Sequence, residues 1–181
     1  TVGQSVVPEG HVGLCTVCSI TLNGVLLKHG IPTRSLFSGL MQLRGGKAEG
    51  FTEVINYDGT TMDPLELFIR GRMTDYTGAV NTGTGKIGAG FREVPASSCD
   101  LVMGLSEKLE RIGLGAFLKI GLPSQTLLNI PVNEGCCGAI VIGGLNPVAR
   151  LEEAGVSVQA YALAGLMEYN HLFRYDELGE R

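Results

Sequence analysis

The amino-acid sequence predicts an α/β fold: a mixed, partly parallel sheet with helices, built from two pseudo-repeated β-α-β units. Three observations lead there. Apolar runs rich in β-branched residues alternate with stretches of helical period, the pattern of layered α/β domains. Glycine supplies 27 of the 181 residues and punctuates short elements instead of collecting into a linker. The chain also resembles itself. Val7-Pro8-Glu9-Gly10-His11-Val12-Gly13 matches Val132-Asn133-Glu134-Gly135-Cys136-Cys137-Gly138. Each copy runs on through an apolar stretch and a helical stretch closed at Gly30 or Gly155. Each then reaches a Gly-Leu-Met triplet, Gly39-Leu40-Met41 or Gly165-Leu166-Met167. The duplication spans about residues 7–42 and 132–168 of a single domain covering 1–181. A strand-helix-strand repeat implies right-handed crossovers and parallel pairing.

The elements follow in order. Small and β-branched residues make Val12 to Ile20 a strand. A helix follows, with Ser19, Thr21 and Asn23 available as caps. Phe51 to Tyr57 is the next strand. Asp63-Pro64-Leu65-Glu66 opens a helix with a cap, a proline at the first helical position and a carboxylate placed for a capping box, and Gly71 stops it. Lys86 to Val94 is a strand outside the repeat, free to pair antiparallel with Phe51 to Tyr57. Ser97-Ser98-Cys99-Asp100 leads into a surface helix with Leu101, Val102, Leu105, Leu109 and Ile112 on one face and Glu107, Lys108, Glu110 and Arg111 on the polar face, and Gly113 ends it. Ala116 to Ile120, Ala139 to Ile142 and Val156 to Ala160 are strands. Between the last two, Asn146 caps a helix with Pro147 at its first position, and Gly155 closes it.

Composition narrows the function. With 44% hydrophobic and 18% charged residues the chain is not disordered. No apolar run approaches the ~18 residues of a membrane span. No basic stretch followed by an apolar one opens the chain, so no secretory signal is recognised. The net charge of -4 and pI of 5.4 argue against nucleic-acid binding by this segment alone. Of five cysteines, Cys15 and Cys18 form a C-x-x-C, in the abstract a zinc or redox signature. In a strand, residues three apart face opposite ways, so no metal and no bridge between them is expected. The cysteines read as small buried hydrophobes, and neither a disulfide framework nor a cofactor is expected.

The candidate chemistry lies in glycine-rich turns. Thr82-Gly83-Thr84-Gly85-Lys86 can gather backbone N–H groups into an anion nest, with a plain turn as the alternative. It lacks the spacing of a Walker A loop. The lead-in Cys15 to Gly24 and the turn Gly143-Gly144-Leu145-Asn146-Pro147 each deliver a helix N-terminus, a ready site for a carboxylate, with ordinary capping as the alternative. Two such starts across a cleft suit a dicarboxylate. Arg34, Arg70, Arg72 and Arg92 are its possible counter-charges. The effector-binding candidates are Cys15, Cys18, Ser19, Thr21, Asn23, Arg34, Thr82, Gly83, Thr84, Gly85, Arg92 and Asn146. No catalytic constellation is recognisable around His11, His29 or His171.

Several of these segments carry a resemblance. Gly13 to Gly24, Tyr57 to Glu66, Thr82 to Gly85, Gly121 to Pro131 and Gly143 to Pro147 resemble the regulatory domain of the archaeal nitrogen repressor family, NrpR. The resemblance implies a cytoplasmic, non-enzymatic transcriptional regulator. In that family a winged-helix DNA-binding segment precedes one or two copies of this domain. It implies 2-oxoglutarate as the effector, whose binding weakens the grip on the operator. A homodimer is expected, matching symmetric operators. The rival readings are a small-acid enzyme and a ligand-free dimerisation domain.

Overall fold

The computed structural model describes residues 7–115, 117–161, 164–174 and 177. The elements are α1 (Ile20–Lys28), β1 (Arg34–Arg44), β2 (Lys47–Asn56), α2 (Pro64–Arg70), α3 (Tyr76–Thr82), β3 (Gly85–Pro95), α4 (Cys99–Arg111), β4 (Phe117–Ile120), β5 (Cys136–Ile142) and α5 (Asn146–Glu153). Short 3-10 turns occupy Ala96–Ser98 and Tyr169–His171.

The α/β class holds, but the sheet is not partly parallel. Its order is β2-β1-β3-β5-β4, and every neighbouring pair is antiparallel. The reason is local. Gly45 and Gly46, at φ 54° and 76°, make the two-residue turn in which both central residues need positive φ. That turn folds β2 directly back on β1, with Arg44 opposite Lys47. β3 takes the other edge of β1. The predicted strand Val12 to Ile20 does not form: its end enters α1, and residues 12–17 make no backbone hydrogen bond to another described residue. Val156 to Ala160 also forms no strand. Neither repeated segment is therefore a β-α-β unit. The first runs coil, helix, strand, and the second strand, helix, coil.

β3 is buried along nearly its whole length, and its alternate residues serve two cores. One face joins Phe37, Met41, Ile87, Ala89, Phe91, Leu127 and Ile140. The other face packs Val94, Cys137, Ala139 and Val141 under Leu22 and Leu26 of α1 and Val102, Leu105 and Leu109 of α4. Leu40 continues that face under Leu65 and Phe68 of α2. Packing α4 over β5 also brings Cys99 to Cys137, and their sulfurs are bonded. This corrects the expectation of no disulfide. Cys15, Cys18 and Cys136 are free.

Side chains cap α2 and α3, whereas α1, α4 and α5 begin without a side-chain cap, so Ser19, Thr21 and Asn23 do not serve as caps. Asp63 accepts the Leu65 amide, and Glu66 pairs with Arg70 one turn on instead of closing a capping box. Asn146 does not cap α5. Its buried amide side chain accepts the Gly88 N–H at 2.7 Å and donates to the Gly88 and Gly143 carbonyls. It pins the end of β5 to β3, and Leu145 takes the cap position.

α3 depends on a residue far away in sequence. The Glu153 carboxylate accepts from the Thr74 and Thr77 hydroxyls and the Tyr76 and Thr77 amides, at 2.6–2.8 Å. Desolvation raises its pKa, but these hydrogen bonds outweigh that and hold it below the usual value. A depressed folded pKa contributes stability above the ordinary carboxylate range and loses it as pH falls through the folded value. Glu153→Gln is therefore expected to lower the urea midpoint at about pH 7, and the gap from the parent chain is expected to close as the pH falls below the ordinary carboxylate range. A gap independent of pH would contradict this.

Candidate functional site

Arg92 stands on the helix-covered face of β3, two residues before Val94 of the core. It is 3% exposed. A guanidinium in such a place costs several kcal/mol unless something compensates. Its Nη1 donates to the Ser19 carbonyl at 3.0 Å and to Oδ1 of Asn23, both at the start of α1. Among the described residues its Nε and Nη2 find no hydrogen-bond partner, and neither atom is wholly enclosed. No carboxylate neutralises it: the ion pairs among the described residues are Arg44–Glu49 and Arg70–Glu66. Burial pushes its pKa down, while Tyr57 and Cys18 close by act in the opposite sense.

The surroundings continue this polar character. Asn23 Nδ2 reaches Ser35 Oγ at 3.4 Å, and Ser35 is the β1 residue opposite Arg92. Further along β1, Ser38 is 2% exposed and hydrogen-bonds the hydroxyl of Tyr57. A line of polar side chains thus crosses an apolar sheet face beneath α1. It offers mainly hydrogen-bond donors and one unneutralised positive charge, which is suited to an anion.

Beside it runs a groove of about 310 Å³, lined by Thr16, Cys18, Ser19, Tyr76, Gly144 and Pro147 among others. The lead-in to α1 and the turn into α5 share this groove, and Thr16 Oγ1 donates to the Gly144 carbonyl at 2.7 Å across it. Cys18 and Ser19 belong to both features.

The structure brings Cys18, Ser19, Asn23 and Arg92 together. Cys15 and Thr21 are exposed nearby in sequence, and Arg34 is exposed at the start of β1. Arg70 is paired with Glu66, and Arg72 is exposed. Thr82, Gly83, Thr84 and Gly85 lie elsewhere. Gly85 is at the opposite end of β3 from Arg92, roughly 23 Å away at strand rise. This is more than one small diacid spans. Thr82 closes α3 through Gly78, and Thr84 Oγ1 accepts from the Gly45 amide. A Cβ at Gly85 would meet the Asp75 carbonyl at 2.2 Å, so that glycine serves close packing of α3 on β3. Asn146 lines the groove, but its amide is committed to Gly88 and Gly143. Ser35, Ser38 and Tyr57 were missed. The signal was two serines within the apolar run of β1, visible only once β1 is read as a strand. Among the described residues no three His, Cys, Asp or Glu side chains converge as for a metal ion.

A family model described as the NrpR regulatory domains NRD1 and 2 matches residues 2–174. The chain belongs to the family of NrpR regulatory domains. It is 34% identical over 162 residues to the global nitrogen regulator NrpRI of Methanosarcina mazei, covering 90% of this chain and 50% of that protein. It is 33% identical over 165 residues to the global nitrogen regulator NrpR of Methanococcus maripaludis, covering 90% of this chain and 28% of that protein. The crystal structure of a nitrogen repressor-like protein from Methanococcus jannaschii superposes with a TM-score of 0.65 at 30% identity, over 81% of this chain and 61% of that one. The chain thus spans half or less of these curated relatives' length. The family is regulatory and not enzymatic, and its named members act in nitrogen control. No described helix is long and apolar enough to cross a membrane.

Proposed function

We propose that this chain is the effector-sensing domain of a nitrogen-regulatory transcriptional repressor, and that it binds 2-oxoglutarate or a similar dicarboxylate at Arg92. The observation that carries the reading is Arg92 itself: buried, charged and, among the described residues, without a carboxylate partner or a hydrogen bond at Nε and Nη2. One effector carboxylate takes the open edge of that guanidinium. The other end of the molecule extends past Cys18 and Ser19 toward the groove, where two helix starts favour negative charge. Expelling water from such a site strengthens each contact.

Binding there has a route to a signal. The α1 start is tied to the sheet through Arg92, so an anion that competes for or tightens that tie shifts α1 and its exposed lead-in. In the whole protein this domain acts on an attached winged-helix region in a cytoplasmic homodimer. Exposed Val12 and Leu14 in the lead-in are apolar surface suited to the dimer contact. A coupling of about 1–3 kcal/mol changes operator affinity by about 5–150-fold.

Calorimetric titration of the chain with 2-oxoglutarate and with other dicarboxylates tests the reading, with sedimentation of the same samples reporting association. Saturable binding of 2-oxoglutarate by a dimer is the expected result. Heat from none of the diacids would overturn the effector assignment.

A further inference from the structure

The two facing walls of the groove are held very differently. The turn into α5 is fixed from within: the Gly143 amide donates to the Gly88 carbonyl at 2.9 Å, and the buried Asn146 amide joins the same two residues. The facing wall is the lead-in, through Thr16, Val17, Cys18 and Ser19. Hydrogen-bonded backbone begins there only at Cys18, whose carbonyl accepts from the Thr21 amide at the start of α1. Among the described residues, the one hydrogen bond from residues 12–17 to the rest of the fold is that of the Thr16 hydroxyl to the Gly144 carbonyl, at 2.7 Å.

Both sides of that contact are shaped for it. The Gly144 carbonyl accepts no backbone amide from another described residue, so the Thr16 hydroxyl supplies its partner. Gly144 also lacks the side chain that would keep the lead-in away: a Cβ there would meet the Val17 carbonyl oxygen at 2.8 Å. Thr16 itself is exposed, so the bond contributes little to the core. One neutral hydrogen bond and one backbone contact are a weak tie for a whole wall, and a ligand that touches both walls strengthens it.

We propose that residues 12–17 are a strap closed over the groove by the Thr16–Gly144 contact, and that Thr16 is a positioning residue for the anion that enters. The inference rests on the effector reading above, in which one end of the diacid lies in this groove. Closure sets the Cys18–Ser19 backbone opposite the Gly143–Gly144 turn, so that both walls meet the ligand at once. An open strap leaves a single wall, and the ligand then binds only the closed fraction. Occupancy in turn holds the strap shut. Val12 and Leu14 lie on the same strap, so the apolar surface they expose is fixed or released with it.

Cys18 lines the groove behind the strap and is a free, half-buried thiol, so its alkylation by iodoacetamide reports opening. Cys136 is also free and half-buried, roughly 20 Å away at the other end of β5, and serves as the internal standard. Labelling is read residue by residue by fragment mass spectrometry in the parent, Thr16→Val, Thr16→Ser and Gly144→Ala, with and without 2-oxoglutarate, and calorimetry gives the affinities. Each variant is first checked for unchanged thermal unfolding. Expected in Thr16→Val are Cys18 labelling at least about threefold faster and 2-oxoglutarate binding about three- to tenfold weaker. Thr16→Ser keeps the hydroxyl and should match the parent. Gly144→Ala pushes the Val17 carbonyl away and should act as Thr16→Val does. In the parent, 2-oxoglutarate should slow the labelling of Cys18 and leave Cys136 unchanged. Parent-like Cys18 labelling in both Thr16→Val and Gly144→Ala overturns the strap. Faster labelling with parent-like affinity overturns the positioning role and leaves the effector reading intact. A parent that binds no diacid overturns the effector reading and the ligand's hold on the strap, while labelling without ligand still decides the strap itself.

Discussion

Replacing Arg92 with methionine is expected to cut 2-oxoglutarate affinity by about a hundredfold while leaving the domain folded. Two charge-assisted hydrogen bonds to one carboxylate contribute about 3 kcal/mol between them, which corresponds to that factor. Stability should move far less. Removing the guanidinium loses its bonds to Ser19 and Asn23, but it also relieves the cost of a buried charge with no carboxylate partner. Methionine fills much of the same volume with a flexible apolar chain. Arg92→Lys keeps the charge without the planar fork, so it should recover part of the affinity at most. Calorimetry gives the affinity and urea unfolding the stability. Full affinity in the methionine variant would remove Arg92 from the site.

The largest effect on stability is expected at Phe91. It is fully buried, stacks on Phe37 at 5.2 Å between ring centroids and meets Phe51 edge-on at 6.4 Å. Phe91→Ala should cost about 3–5 kcal/mol through lost burial and the cavity left behind. For a domain of this size that is a fall in melting temperature of roughly 6–20 °C. The side chain lies on the sheet face away from Arg92, so the effector affinity of the folded fraction should stay near that of the parent. A melting temperature within a degree of the parent would mean that the three-ring cluster adds nothing.

What the sequence made legible was what local chemistry decides. Asp63-Pro64 begins α2, Gly113 at φ 78° follows the end of α4, and the glycine at 155 closes α5, because caps and stops act within a turn of themselves. β1 was harder. Its apolar residues come in pairs, Leu36-Phe37 and Leu40-Met41, so strict alternation is hidden by irregular pairing between Ser35 and Phe37 and near Met41. α3 has no apolar period, and its start is held by Glu153 from the far end of the chain. Parallel pairing was inferred from a likeness between segments whose strands sit in different places around their helices. In the site, Arg92 and Asn23 could be named as residue types suited to an anion. Tyr57 and Ser38 could not, because they meet across strands through a register no spacing encodes.

The burial of β3 sets a clock on the molecule. From Ala89 to Glu93 it is paired with β1 on one side and β5 on the other, and its side chains are buried on both faces along nearly the whole strand. Their hydrogens are therefore expected to exchange most slowly, with unfolding of the core. Residues 12–17, which make no backbone hydrogen bond to another described residue, are expected to exchange far faster. Arg92 stands on the slowest strand and grips the first turn of α1, which the fastest segment feeds into. A ligand held there, as proposed, would join the two extremes of the exchange scale, so that the lead-in could shift while the strand beneath stays fixed.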